Sequence, residues 1–204
     1  MIALIDYGSG NLRSVYNAIR HSGFEAEVIA DPARIPSAHA VILPGVGAFG
    51  DCIHQLHQRG LWDPIQAWLS ADRPFLGICV GYQALFEGSE ESPEARGLGF
   101  FRGQVRKFTT PGLKVPQIGW NSLELTRPDH LLWAGLPEKP HVYFVHSFYP
   151  EPSDPSLTTA TCNYGVPFAA AAARGNVCGV QFHPEKSQAV GLAILSNFLR
   201  SIPA

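Results

Sequence analysis

The sequence predicts an α/β fold: a mostly parallel sheet flanked by helices, with antiparallel β additions in the C-terminal half. Three observations carry this. Short apolar runs alternate with segments of helical period through the first 86 residues, the pattern of βαβ units. Each run is about as long as a buried strand. From Leu98 onward the runs stay short and β-like but are separated by proline and glycine rather than by helices. The 204 residues suit one domain spanning 1–204, with no internal repeat or low-complexity linker.

The elements follow in order. Ile2 to Ile5 is an apolar strand, and Asp6 to Asn11 a glycine-rich loop. Asn11 is a candidate N-cap for a helix carrying Leu12, Val15, Tyr16 and Ile19, which Gly23 ends. Strand, Gly8-Ser9-Gly10 and helix imitate a dinucleotide fingerprint, with Glu25 or Glu27 as the distal acid. The third glycine position holds Arg13, however, where close helix–strand packing needs a small residue. No cofactor is expected. Glu25 to Ala30 is a second strand, Asp31-Pro32 a helix start, and Ala40 to Leu43 a third strand leading into Pro44-Gly45-Val46-Gly47. Asp51 to Trp68 is helical with a break at Gly60. His54 and His57 lie one turn apart there without a third ligand, which favours a solvated face over a metal site.

Phe75 to Ile78 is the next strand. Cys79 follows, with Gly77 and Gly81 two residues to either side, and Ala84, Leu85 and Phe86 continue at helical spacing. A strand that turns this sharply into a helix crowds any nearby Cβ, and the same Gly-x-nucleophile-x-Gly layout holds serine in hydrolases. A thiol at a helix start also has its thiolate favoured. Cys79 is therefore the candidate nucleophile. Later β-like runs are Gln104–Phe108, Val115–Ile118, Tyr143–Tyr149, Leu157–Cys162, Ala169–Arg174 and Val177–Phe182, and Ser187–Leu199 is a closing helix.

A cysteine nucleophile needs a base and a group to orient it. His183 ends the Val177–Phe182 run, and in extended chain Glu185 faces the same way. Cys79, His183 and Glu185 thus form a candidate triad; His146, inside a strand-like run, is the competing base. The oxyanion donors expected are the Val80 N–H and the loop around Gly45 and Val46.

Composition narrows the function classes. A formal net charge of -2 suggests neither nucleic acid nor a membrane surface as partner. The N-terminal residues resemble no signal peptide, and no apolar stretch is long enough to span a bilayer. Cys52, Cys79, Cys162 and Cys178 form no Cys-x-x-Cys pair, which favours a reduced, cytoplasmic protein over a disulfide framework or zinc site.

Gly-Ile-Cys-Val-Gly-Tyr-Gln with a distant His-Pro-Glu resembles the class I, triad-type glutamine amidotransferases. Asp-Tyr-Gly-Ser-Gly-Asn-Leu-Arg-Ser-Val, Leu-Pro-Gly-Val-Gly and Leu-Phe-Glu-Gly-Ser-Glu-Glu narrow it to one branch. So do Pro-Gln-Ile-Gly-Trp-Asn, Tyr-Phe-Val-His-Ser and Gly-Val-Gln-Phe-His-Pro-Glu-Lys-Ser. That branch is the glutaminase subunits of imidazole glycerol phosphate synthase, in histidine biosynthesis. Gln117 stands where histidine is frequent, and Val80 where leucine is. The resemblance implies glutamine hydrolysis through a thioester on Cys79, with Gly47, Gln83, Glu91 and Ser147 binding glutamine. It also implies a heterodimer with a β/α-barrel synthase (cyclase) that receives the ammonia, Asn11, Trp120, Tyr143 and Lys186 lying at or near that interface. The alternatives are the glutaminase of another amidotransferase, a catalytically silent subunit on this fold, and a cysteine peptidase.

Overall fold

Parallel strands buried on both faces need continuous apolar sequence. In the computed structural model, which describes residues 1–203, four such strands lie side by side. β1 (Ile2–Ile5), β3 (Ala40–Leu43), β4 (Phe75–Ile78) and β13 (Val177–Val180) are buried at every position. With the edge strand β2 (Ala26–Ile29) they form the parallel part of an eight-stranded sheet, order β2-β1-β3-β4-β13-β12-β11-β8. The remaining strands, β12 (Pro167–Arg174), β11 (Thr158–Asn163) and β8 (Glu124–Leu125), pair antiparallel. The fold class expected from the sequence is the one observed.

Helices α1 (Leu12–His21), α2 (Phe49–Gln58), α3 (Trp62–Ser70) and α5 (Gln188–Arg200) flank the sheet. α1 buries Val15, Ala18 and Ile19, one apolar stripe at helical spacing. The break between α2 and α3 falls at Gly60, whose φ of 67° is left-handed. The helix expected after Asp31 is a six-residue 3-10 helix, Pro32–Ser37, with a second proline, Pro36, inside it; an α-helix would need the N–H that this ring lacks. Asn11 occupies the N-cap position of α1, but its side chain makes no cap hydrogen bond.

Two small sheets complete the molecule. β10 (Phe148–Pro152), β6 (Gly103–Lys107) and β5 (Gly88–Ser89) form one. β7 (Gln117–Ser122) and β9 (His141–His146) form the other, an antiparallel ribbon. The run Tyr143–Tyr149 is therefore not one strand. It breaks at Ser147, where the chain leaves the ribbon to pair with β6. The strand expected at Val115–Ile118 starts two residues later and runs on to Ser122.

Candidate active site

Three neighbouring parallel strands, β3, β4 and β13, bring the candidate residues together at their C-terminal ends, where ligand sites of such sheets lie. β3 delivers the Pro44–Gly47 loop, β4 delivers Cys79, and β13 leads to His183.

Cys79 has φ 54° and ψ −110°, a conformation that costs a non-glycine residue about 1–3 kcal/mol. Its surroundings enforce it. The Cys79 N–H donates to the Val180 carbonyl at 2.8 Å, and the Cys79 carbonyl accepts from Tyr82 and Gln83 N–H at 3.1 Å. A Cβ on Gly77 would lie 2.6 Å from the Gly81 oxygen, and one on Gly81 would overlap the Leu43 carbonyl. The paired glycines are thus demanded by close backbone approach. The helix that follows, α4 (Val80–Gln83), is a single turn, so the helix dipole lends the thiol less than the sequence suggested.

His183 and Glu185 meet as expected, but by another route. β13 ends at Val180, and Pro184–Lys186 is a 3-10 turn rather than extended chain. The turn swings Glu185 back so that His183 Nδ1 donates to its Oε1 at 2.9 Å. Both side chains are buried. Burial works against a charged His183, but its hydrogen bonds to Cys79 and Glu185 outweigh that and push it up to about 10. The arrangement favours an imidazolium beside the Cys79 sulfur. His146 is differently placed. Its Nδ1 donates to the Phe148 carbonyl at 2.8 Å, its Nε2 faces the Gln117 side chain at 2.9 Å, and burial pushes it down to about 4. With both nitrogens occupied it has no free position for a nucleophile's proton. Gln117 is buried against it.

A cavity of about 280 Å³ opens over the sulfur. Val46, Val80, Gly47, Gln83, Glu91 and Ser147 line it with Cys79 and His183, and so does Lys186. Gly45 lies behind it, buried against Val80 and Gly81. Val80 opens α4, so its N–H has no partner within the helix. The Tyr7 hydroxyl lies against Gly45, buried and without a hydrogen-bond partner among the described residues. The Val46 carbonyl accepts from Ser9 Oγ at 3.1 Å, so the Gly8–Gly10 loop braces this segment. One Glu91 oxygen accepts the Phe49 N–H at 2.8 Å. Gln83 is committed further than expected: its Nε2 donates to Phe148 O at 3.1 Å and Gln181 Oε1 at 3.0 Å, leaving only its carbonyl oxygen for a ligand.

Gln181 escaped the sequence reading. Its Nε2 lies 3.7 Å from Cys79 Sγ. The signal was available: a glutamine two residues before His183, in an apolar run, shares the histidine's face of an extended strand.

Beside the cavity mouth, the β7–β9 ribbon pairs Ile118 with Val145 and Trp120 with Tyr143, so all four share a face. Ile118 is 62% and Trp120 48% exposed, and the Trp120 ring stands edge-on to Tyr143 at 5.9 Å. Val145 and Lys186 belong both to this side and to the cavity wall. α1 and β9 both pack on the Pro184–Lys186 turn, which brings the start of the chain to the same neighbourhood. His57 stacks on Trp62 at 4.1 Å, and among the described residues no group of three or more histidine, cysteine or acidic side chains could hold a metal.

Residues 3–202 match the family model described as glutamine amidotransferase class-I. A relative from Microcystis aeruginosa, imidazole glycerol phosphate synthase subunit HisH, is 48% identical over 99% of this chain and 96% of its own length. The HisH subunit of Methylococcus capsulatus is 47% identical over 99% of this chain and 97% of its own. Among solved structures, PurLQS from Thermotoga maritima superposes with a TM-score of 0.79 at 19% identity, covering 99% of this chain and 98% of that one. A crystal structure of a glutamine amidotransferase gives 0.77, also at 19% identity, with 98% of each chain covered; at that identity both show the shared fold. The chain belongs to the class-I glutamine amidotransferases and, within them, to the family of HisH subunits of imidazole glycerol phosphate synthase.

Proposed function

We propose that residues 1–204 act as one amidotransferase domain that hydrolyses glutamine to glutamate and ammonia on Cys79, for imidazole glycerol phosphate synthesis in histidine biosynthesis. The observation that carries this is the cavity: about 280 Å³, with a cysteine, a histidine–carboxylate pair and Glu91 in its wall. That is room for one small amino acid rather than for an extended peptide, which disfavours a peptidase.

The Cys79 thiolate attacks the substrate's side-chain amide carbon. The negative charge that forms on the amide oxygen is met by the Val80 N–H and by a donor from the Gly45–Val46 segment. The C–N bond then breaks as His183 gives its proton to the departing nitrogen, and ammonia leaves a γ-glutamyl thioester. Water attacks the thioester and loses a proton to His183, the sulfur departs, and glutamate is released. Glu185 holds the imidazole in the tautomer both steps need. Glu91, with one oxygen still free, takes the substrate's ammonium; Gln83, Ser147 and Gly47 hold its remaining polar groups.

The partner is a β/α-barrel synthase, forming a heterodimer that makes imidazole glycerol phosphate and an aminoimidazole carboxamide ribonucleotide. The exposed Ile118–Trp120–Tyr143–Val145 face suits it, because an apolar patch beside a cavity mouth lets a docked subunit collect what leaves the cavity. Lys186, which shares the cavity wall with Val145, and Asn11, which precedes the helix packed on the Pro184–Lys186 turn, are the further contacts proposed for it. The compartment is the cytoplasm, where four free thiols stay reduced. The deciding experiment is glutamate release by wild type and Cys79→Ser, each alone and with the synthase subunit and its nucleotide. Turnover by Cys79→Ser at the wild-type rate would overturn the assignment.

A further inference from the structure

Gln181 and Gln83 form a buried chain that ends on the nucleophile. Both side chains are buried. The chain runs from the Phe148 carbonyl to Gln83 Nε2 at 3.1 Å, from the same nitrogen to Gln181 Oε1 at 3.0 Å, and from Gln181 Nε2 to Cys79 Sγ at 3.7 Å. Its direction follows from chemistry. A backbone carbonyl only accepts, so Gln83 must meet Phe148 with its nitrogen. That nitrogen's second hydrogen needs an acceptor, and the Gln181 carbonyl oxygen supplies it. Gln181 is left with its N–H aimed at the sulfur. As a thiol, Cys79 can donate towards the Val145 carbonyl at 4.0 Å; as a thiolate it can only accept, and a hydrogen bond to a charged acceptor is the stronger kind.

We propose that Gln181 is a further catalytic group of this site, donating its amide N–H to the Cys79 sulfur and favouring thiolate over thiol, and that Gln83 positions it. The proposal rests on Cys79 being the nucleophile. Gln83, taken from the sequence as a substrate contact, thereby gains a second task that its hydrogen-bonded nitrogen already performs. The titratable groups around the sulfur are His183 backed by Glu185, then Glu91, His146 and Lys186 in the cavity wall, and Tyr7 behind it. None of them is altered in the test.

The test is alkylation of the whole chain by iodoacetamide between pH 5 and 10, followed at Cys79 by mass spectrometry. Cys52, Cys162 and Cys178 are buried and their thiols pushed up to about 12, so Cys79 should react first. Gln181→Met keeps the length and removes the donor. It should move the midpoint of the pH profile up by about one unit, about tenfold in rate near neutrality. Gln83→Met should move it less, in the same direction, because an unanchored Gln181 amide can turn. Melting temperatures are measured alongside, since a packing role would lower stability and leave the profile in place. Unchanged profiles in both variants overturn the proposal, and if Gln181→Met does not fold, Gln181→Ala takes its place. A shift in the first without one in the second overturns the part given to Gln83. Cys79→Ser in parallel separates the two ideas: if it still hydrolyses glutamine, the nucleophile assignment fails. If it is inert while the profiles stay fixed, only the relay fails.

Discussion

Adding one methyl group at Gly45 should disable the oxyanion site while leaving the nucleophile intact. A Cβ at Gly45 would lie 2.8 Å from the Gly81 nitrogen, 2.8 Å from Val80 Cβ and 2.9 Å from the Tyr7 hydroxyl oxygen. Two of these belong to the elbow itself, and Tyr7 is buried at 1% exposure, so none is the loose end of a surface side chain. The elbow is pinned by the Leu43 carbonyl against Gly81, so the Pro44–Gly47 loop must give way. Overpacking of this kind costs about 1–3 kcal/mol of stability. Displacing one oxyanion donor costs about 100- to 1,000-fold in kcat, about 3–4 kcal/mol. The assay is glutamate release by Gly45→Ala at saturating glutamine with the synthase subunit present, next to iodoacetamide alkylation of Cys79. We expect kcat to collapse, KM to change little and alkylation to proceed as in wild type. A variant with wild-type kcat would refute the role given to this loop, and loss of alkylation as well would show that the elbow had moved.

Cys79→Ser should abolish glutaminase turnover without unfolding the chain, and His183→Ala should be nearly as severe. Glu185→Ala should be milder, because the base survives the loss of its orienting group; steady-state kinetics order the three. The pH dependence of stability has a defined sign. His183 in the fold is raised to about 10 from an unfolded value of about 6.5, so its contribution is complete below about pH 6.5 and is lost as pH climbs towards 10. His183→Ala should therefore flatten the fall of Tm between pH 7 and 10, and a parallel fall in both proteins would refute that pairing. For the partner, we expect weak glutaminase activity from the chain alone, raised at least about 100-fold by the synthase subunit with its nucleotide. Trp120→Ala should weaken the complex by about 2 kcal/mol, measured by titration calorimetry; full activity of the isolated chain would sink the coupling.

The elbow was legible because its constraint is local. Backbone approaching backbone across Gly77, Cys79 and Gly81 leaves room for no other residue pattern, and the sequence has to declare it. His183 and Glu185 were legible as residues but not as geometry. The spacing fits an extended strand and a 3-10 turn equally well, and the early end of β13 chose the turn. Tyr143–Tyr149 reads as one strand because apolar and aromatic residues run through it. Only the two sheets competing for it reveal the break at Ser147, which carries Ser147 into the cavity wall. Gln83 and Gln181 were the hardest. A buried glutamine carries no sign of what its amide meets, and these two meet across 98 residues of chain. Asn11 shows the reverse error: a good capping residue in the capping place whose side chain does not cap.

The two halves of the proposed oxyanion site differ in how firmly they are held, and that difference decides where a partner could act on the rate. The Val80 N–H is fixed by the elbow. Cys79 bonds to Val180, Tyr82 and Gln83, Gly81 sits against Leu43, and all of α4 is buried. Turning that N–H would dismantle the nucleophile's own support. Val46 is 37% exposed, is followed by Gly47 at φ 96°, and is tied by Ser9 Oγ to its carbonyl. Its peptide groups can turn at the cost of a few hydrogen bonds, each worth about 0.5–1.5 kcal/mol net. A docked subunit that favoured the donating orientation by about 3 kcal/mol would raise the rate about 100-fold without moving the triad. Coupling on that scale would therefore act on the Val46 half of the proposed site, with the Val80 half as its fixed counterpart.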